Sequence, residues 1–188
     1  EIAEMARIKV LSADEVPDAA KSTYDAVTGY GPFASLAGAM AQRPPILNRI
    51  FGLLGDLRDD GVLDRRSLEL VLVAVSKLNA CDYCVAHHGP MLHVVGASKA
   101  AIDNILDFEN VPEFDAKDRL VIEYARQVTL DPNRVRDGIF ARLREYFDEP
   151  QIVELTWRIS LCGAFNRFND VLQLDIEDEA HVAMGSVA

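Results

Sequence analysis

A helical hairpin in the middle of the chain limits the possible folds more than any other sequence feature. A suitable N-cap, Asp64, precedes the apolar run Ser67–Leu78, which contains no Gly or Pro. The many valines of this run also suit a buried strand, but its length favours a buried helix. A short break at residues 79–80 separates it from a second helical segment, which begins near Cys81 and ends at Gly96. The sequence therefore predicts two antiparallel helices joined by a very short turn.

The other segments also have helical patterns, so the predicted fold class is all-α, with a single domain over residues 1–188. We find no strand ladder, internal repeat or low-complexity stretch. An irregular N-terminal arm is expected over residues 1–35, and a frayed tail over residues 175–188. Outside the hairpin, the predicted helical segments are 19–28, 45–58, 98–108, 115–128, 132–147 and 148–172, the last beginning at a capping box of Asp148 and Gln151.

Composition excludes several classes of function. The chain has 188 residues and a net charge of −11, which disfavours binding to nucleic acid or to an anionic membrane through a general basic field. No apolar run approaches the ~20 residues that span a bilayer, and the N-terminus lacks the pattern of a signal peptide. Only 3 cysteines are present, and two of them form a CxxC. This usage is typical of a working thiol pair in a reducing compartment, so a cytoplasmic location is expected.

The CxxC carries the chemistry that the sequence predicts. On a helix, Cys81, Cys84 and His88 share one face, because steps of three, four and seven residues return to nearly the same side. The first turn of a helix favours negative sulfur, and an imidazole can act as a base beside it. His88 lies closer to both sulfurs on this face than His87 does. Glu69, on the preceding helix, lies at a similar distance from the turn, so we expect it to contact and orient His88.

A CxxC has three interpretations, namely a redox pair, half of a zinc site, or chance. A structural zinc site needs about four ligands and usually contains a second close pair of them, which Cys162 alone does not provide. The possible zinc ligands are Cys81, Cys84 and His88 with Glu69, His87 or His93.

Four other residues have simpler expected roles. Cys162 is expected to be a small buried core residue. Tyr83, between the two cysteines, is expected either to pack or to supply its hydroxyl as a donor. His93 and His181 are expected at the surface.

The spacing Glu69-x11-Cys81-x2-Cys84-x3-His88 resembles the signature of the AhpD-like alkylhydroperoxidases, within the carboxymuconolactone decarboxylase superfamily. The resemblance extends over roughly residues 8–175, and the C-terminal part is similar to the longer "peroxidase-related" branch. The flanking residues that agree are Arg43-Pro44-Pro45, Leu68-Glu69-Leu70-Val71, Gly96, Leu155-Thr156 and Asn166-Arg167-Phe168-Asn169.

This resemblance implies an AhpD-like helical bundle with the CxxC at the N-terminus of a central helix. Cys84 matches the attacking thiol, which becomes a sulfenic acid, and Cys81 matches the proton donor and resolving thiol. Glu69 and His88 match the relay that activates the thiols. One departure concerns Tyr83, since well-studied members have His at that position.

The implied function is thiol-dependent reduction of hydroperoxides in antioxidant defence. A sulfenic acid condenses with a nearby thiol, and the resulting disulfide needs an external dithiol to reduce it. The resemblance suggests a lipoyl-type or thioredoxin-type donor or a partner peroxiredoxin, and assembly into a dimer, trimer or hexamer. No cofactor and no metal are expected. The alternatives are a non-catalytic redox sensor, a zinc-binding interaction module, or another reaction on the same scaffold.

Overall fold

The computed structural model describes residues 6–180, and in this range the secondary structure is helical, with no strand. Short 3₁₀ turns cover Ile105–Asn110 and Pro132–Arg134. The α-helices are α1 (Asp18–Tyr30), α2 (Ala34–Ala41), α3 (Pro44–Asp60), α4 (Arg65–Leu78), α5 (Asp82–Val94), α6 (Lys99–Asp103), α7 (Ala116–Leu130), α8 (Asp137–Leu143) and α9 (Glu149–Leu172).

The predicted hairpin is formed by α4 and α5. The Asp64 side chain accepts a hydrogen bond from Ser67 N at 2.8 Å and so caps α4 as expected. The turn is closed by Cys81 N, which donates to Ser76 O at 2.9 Å. Ala80 adopts a left-handed φ of 55°, an uncommon conformation for a residue with a Cβ. This tight turn fixes the position of Cys81 relative to the end of α4.

The main core lies where α4 packs against α5, α7 and α9. Capping boxes begin α7 at Asp115 and α9 at Asp148, so both predicted helix starts are confirmed. The predicted helix 132–147 is wrong in its first half. A 3₁₀ turn occupies Pro132–Arg134, and Arg136 is extended, so only α8 is α-helical there. The predicted helix 98–108 likewise ends as α-helix at Asp103.

The N-terminal arm is not irregular throughout, because residues 1–35 include α1, which contains the predicted amphipathic segment 19–28. Ala20, Tyr24 and Val27 share one face of α1 and are buried. Helix α1 packs against α2 and α3 and joins a second apolar cluster that also contains both cysteines of the CxxC.

The expected frayed tail is ordered as far as residue 180. Leu174 is buried, and its backbone N–H donates to Asn169 O at 3.1 Å. Glu177 makes side-chain hydrogen bonds to α2 and α5, and residues 178–180 are helical. These contacts fix the segment, because each one satisfies a polar group that would otherwise be buried alone. His181 and residues 181–188 lie outside the described residues, as do residues 1–5.

The close approach of the N-terminal segment to α2 yields a testable prediction. A Cβ at Gly38 would lie 2.4 Å from Leu11 O, so Gly38→Ala must displace the backbone of the arm. We expect a loss of about 1–3 kcal/mol in the free energy of unfolding, measured by urea denaturation. The matched control is Gly29→Ala in α1, where nothing lies within 4 Å. That control should be neutral or stabilising, because Ala is the better helix former. Equal stability of both variants would contradict the prediction.

Candidate active site

The two thiols stand at the start of α5. Cys81 is the N-cap residue and Cys84 lies in the first turn, where backbone N–H groups have no intrahelical acceptor. Both cysteines are unpaired and buried, Cys81 completely, while Cys84 is 6% exposed and lines a cavity. Cys84 is therefore the thiol that a small molecule can reach from the cavity.

The surroundings of the two sulfurs give them different acidities. A hydrogen bond from the Cys81 thiol lowers the pKa of Cys84, against the opposing effect of burial, and His88 and two asparagines lower it further. The same hydrogen bond, with burial, raises the pKa of Cys81. The proton shared by the pair is thus held on Cys81, and the negative charge develops on Cys84.

Asn169 is a site residue that the sequence interpretation did not assign. Its Nδ2 donates to Cys84 Sγ at 3.2 Å, and its side chain is buried. Asn166, one turn earlier on α9, also lowers the pKa of Cys84. A sequence signal existed, since Cys162, Asn166 and Asn169 are spaced by four and three residues and so lie on one face of α9, and that face is buried.

Glu69 and His88 meet across the hairpin, as their distances from the turn predicted. His88 Nδ1 lies 2.9 Å from Glu69 Oε2 and must donate, because a carboxylate only accepts. Arg65 Nε donates to the other oxygen of Glu69 at 2.7 Å. Burial alone would raise the pKa of Glu69, but hydrogen bonds from His88 and Arg65 outweigh it and lower the pKa. With Nδ1–H directed at Glu69, Nε2 of a neutral His88 ring is the basic nitrogen.

His87 has its own carboxylate partner, Glu177, which comes from the C-terminal segment. His87 Nε2 lies 2.8 Å from Glu177 Oε2, and the Tyr83 hydroxyl donates to Glu177 Oε1 at 3.0 Å. Ser35 N donates to the same Oε1 at 2.7 Å. Burial lowers the pKa of His87, but the hydrogen bonds to Glu177 and to backbone carbonyls outweigh it, so the pKa is raised. No sequence signal marked Glu177, which is one acid in an acidic tail.

Tyr83 is a hydrogen-bond donor, as expected, but its acceptor is a carboxylate and not a thiol. Its hydroxyl is buried, donates to Glu177 and accepts a hydrogen bond from Leu36 N at 3.3 Å. Burial, and then the charge of Glu177, raise its pKa. Tyr83 therefore stays a neutral phenol.

The third cysteine and the remaining histidine lie as expected. Cys162 is buried, and burial raises its pKa to about 12, so its thiol is unreactive. His93 is exposed and its Nδ1 bonds Ala97 O at 2.8 Å. Between residues 6 and 180, no group of three or more His, Cys, Asp or Glu side chains is arranged to hold a metal ion. None of the helices in that range is both long and apolar enough to cross a membrane.

A cavity of about 610 Å³ leads to Cys84, between α1, α3, α4, α5 and α9. This volume is typical of a site for a small organic molecule. The polar lining includes Glu69, His88 and Asn169. The apolar lining is larger and includes Tyr30, Phe33, Leu54, Phe51, Met91 and Phe165.

Fold and site together define the class of protein, an all-α bundle of AhpD-like fold with a buried CxxC. The structure of a peroxidase-related protein from Ralstonia eutropha JMP134, described as an alkylhydroperoxidase AhpD core, matches with a TM-score of 0.83. Sequence identity is 22%, and the match covers 95% of each chain. A structure of the debrominase Bmp8 in complex with 2,3,4-tribromopyrrole matches with a TM-score of 0.78 at 15% identity, over 97% of this chain and 100% of that one.

Sequence comparison adds a family match over part of the chain. Residues 44–127 match the model of the carboxymuconolactone decarboxylase family, so this segment is similar to that family. The protein YdfG of Bacillus subtilis (strain 168) is 27% identical over 108 residues, which are 57% of this chain and 74% of YdfG. The matched family segment contains the hairpin with Glu69 and the CxxC, whereas Asn169 and Glu177 lie beyond it.

The amide of Asn169 provides a test of the thiolate. In Asn169→Leu, which keeps the branched shape of the side chain, Cys84 loses a hydrogen bond to its charged form, so its pKa should rise. We expect alkylation of Cys84 by iodoacetamide at pH 7 to slow about tenfold, measured by mass spectrometry of the modified peptide. The control, Asn133→Leu at an exposed position, should match the wild-type rate. An unchanged rate in Asn169→Leu would contradict this assignment.

The His87–Glu177 pair predicts a pH-dependent contribution to stability. Because the folded pKa of His87 is raised, its contribution is complete below the ordinary histidine pKa and is lost as the pH rises through the folded value. Because the pKa of Glu177 is lowered, its contribution is complete above the ordinary carboxyl pKa and is lost as the pH falls. The pair therefore contributes fully between about pH 4.5 and 6.5.

Glu177→Gln should accordingly lower the free energy of unfolding by about 1–3 kcal/mol in this range. The difference from wild type should shrink above it, as measured by urea denaturation at a series of pH values. The exposed neighbour Glu179, changed to Gln, serves as control and should have little effect at any pH. A pH-independent difference for Glu177→Gln would rule out the ionic pair.

Proposed function

We propose that this protein is a thiol-dependent reductase of organic hydroperoxides, with Cys84 as the attacking thiol. One observation carries the proposal. The more acidic and more accessible sulfur of the CxxC opens into a large apolar cavity, with a hydrogen-bond donor on that sulfur and a second thiol beside it. Thiolate character together with access determines which cysteines react with peroxides.

The proposed reaction has two steps within the protein. The Cys84 thiolate attacks the terminal oxygen of the hydroperoxide, the O–O bond breaks, and the leaving alkoxide takes a proton to give an alcohol. Cys84 becomes a sulfenic acid. The Cys81 sulfur then forms a disulfide with Cys84, and the hydroxyl leaves as water with the Cys81 proton.

His88 is the group proposed to move protons between these steps. It lies one helical turn after Cys84, and its Nδ1–H is held by Glu69. Nε2 can therefore accept a proton when the thiolate forms and return it to the leaving oxygen, directly or through water. Glu69 fixes the ring and stabilises its protonated form, and Arg65 keeps Glu69 ionised.

The reductant and the assembly complete the proposal. The Cys81–Cys84 disulfide needs an external dithiol to reduce it. The donor is proposed to be of the lipoyl or thioredoxin type, or to lie on a partner peroxiredoxin, and it is oxidised to a disulfide by exchange. A homo-oligomer is supported by an exposed apolar face of α9 that includes Val153, Trp157 and Val171.

A second candidate is removal of bromine from an aromatic ring. It is supported by the similar fold of the debrominase Bmp8, seen with a tribromopyrrole, and by the apolar cavity beside Cys84. In this reaction two thiols and one C–Br bond give a disulfide, a C–H bond, bromide and a proton. The same external dithiol would be needed to reduce the disulfide.

Turnover by cysteine variants tests the proposal. With cumene hydroperoxide and dihydrolipoamide, Cys84→Ser should lose all turnover, because a serine hydroxyl cannot be oxidised to a sulfenic acid. Cys81→Ser should form the sulfenic acid once, trapped by dimedone, without turnover. Glu69→Gln should reduce the rate at least tenfold, because His88 loses its ionised partner. Cys162→Ser is the control and should retain turnover, since that thiol remains protonated.

The outcomes separate the alternatives. Full turnover in Cys84→Ser would contradict the proposed chemistry. A wild-type protein that is oxidised once by peroxide and does not turn over with any dithiol would be a redox sensor. Release of bromide from 2,3,4-tribromopyrrole, with no turnover of hydroperoxides, would favour the second candidate. Stoichiometric zinc in the reduced protein would overturn both.

A further inference from the structure

Four rings stack in a row along one wall of the cavity, and we refer to Tyr30, Phe33, His87 and Tyr83 as the aromatic row. The ring centroids of Tyr30 and Phe33 lie 6.5 Å apart, those of Phe33 and His87 4.9 Å, and those of His87 and Tyr83 4.2 Å. The interplanar angles are 15°, 26° and 26°. All four side chains line the cavity, so the row runs from the half-exposed Tyr30 to the CxxC.

The two inner rings of the row, Phe33 and His87, present their edges to the cavity. Phe33 has Tyr30 on one side and His87 on the other, and His87 has Phe33 and Tyr83. Rings that are stacked on both faces have only their edges left to contact a ligand. The edge of an aromatic ring is its positive region, and it attracts the negative face of another ring.

In its protonated form, His87 adds a positive charge to the middle of the row, beside the carboxylate of Glu177. Its Nδ1 lies 2.5 Å from Tyr83 O, and its Nε2 lies 2.6 Å from Pro32 O and 2.8 Å from Glu177 Oε2. Carbonyl and carboxylate oxygens only accept, so both ring nitrogens have to donate. Only the imidazolium form has two N–H donors. The C–H edge of this ring is therefore more positive than that of a neutral aromatic.

The cavity also contains a separate aromatic pair. Phe51 and Phe165 lie 6.2 Å apart at 43°, and Met91 adds a polarisable sulfur to the lining. Small peroxides alone would contact only a small part of this aromatic surface. We propose that the cavity selects substrates built on a flat, electron-rich aromatic ring, whose face packs on the edges of the aromatic row. This rests on the proposed function only in that the bound molecule reacts at Cys84.

Binding of unreactive alcohols tests this inference without any turnover. The probes are cumyl alcohol and its saturated counterpart, 2-cyclohexylpropan-2-ol, titrated into reduced wild-type protein and followed by NMR chemical shifts. We expect the aromatic alcohol to bind about two- to tenfold more tightly. The para-methoxy derivative of cumyl alcohol should bind more tightly than the para-nitro derivative, because its ring face is more negative.

A variant of the row locates the effect. Phe33→Leu should reduce the ratio of the two affinities towards one, because it removes an edge of the row while keeping an apolar side chain. The control is Tyr146→Leu, which changes an exposed aromatic residue away from the cavity and should retain the wild-type ratio.

Failure of this inference can be distinguished from failure of the proposed function. Equal binding of the two wild-type probes, or tighter binding of the cyclohexyl alcohol, would overturn it even if hydroperoxides turn over. An equal loss of preference in Phe33→Leu and Tyr146→Leu would overturn it as well. A clear aromatic preference in a protein that reduces no hydroperoxide would leave it intact and refute only the peroxidase chemistry.

Discussion

The buried carboxylate of Glu69 is the interaction on which the site depends. Glu69 is 2% exposed in the middle of a helix whose other buried residues are mostly apolar. An unpaired charge at such a position costs several kcal/mol, so its presence requires partners on both oxygens. Arg65 and His88 supply them, one from the same helix and one from across the hairpin. The pairing fixes the ring of His88 relative to α4, and hence relative to the thiols at the start of α5.

A second carboxylate repeats this arrangement on the other side of the CxxC. Glu177 binds the adjacent histidine, His87, and also holds Tyr83 and the start of α2. The two consecutive histidines of α5 therefore have opposite roles. One is fixed by a carboxylate on α4 and is the proton carrier of the proposed mechanism. The other has hydrogen-bond acceptors at both ring nitrogens, so its ring is held in place by the surrounding structure.

The extent to which the sequence predicted these features depends on how local each signal is. The caps at Asp64 and Asp148 and the apolar run of α4 were predicted, because a helix start is determined by residues three positions apart. Helix α2 was missed, since its mostly buried and mostly small residues have no polar face and no periodicity. Glu69 and His88 were predicted to meet because they lie at similar distances on either side of one short turn. Glu177 could not be predicted, since it lies 94 residues from Tyr83 and has no motif.

Tyr83 shows how the fold accommodates a departure inside the motif. At the position between the cysteines, a phenol donates to Glu177 and packs its ring on His87 at 4.2 Å. It cannot serve as a base there, because burial and the nearby carboxylate keep it protonated. In the proposed mechanism, proton transfer at the thiols is then left to His88, while the phenol extends the aromatic row to the CxxC. This position therefore holds a flat ring in place of the histidine of the resembling proteins, and a flat ring beside the thiols agrees with the proposed selection of flat aromatic substrates.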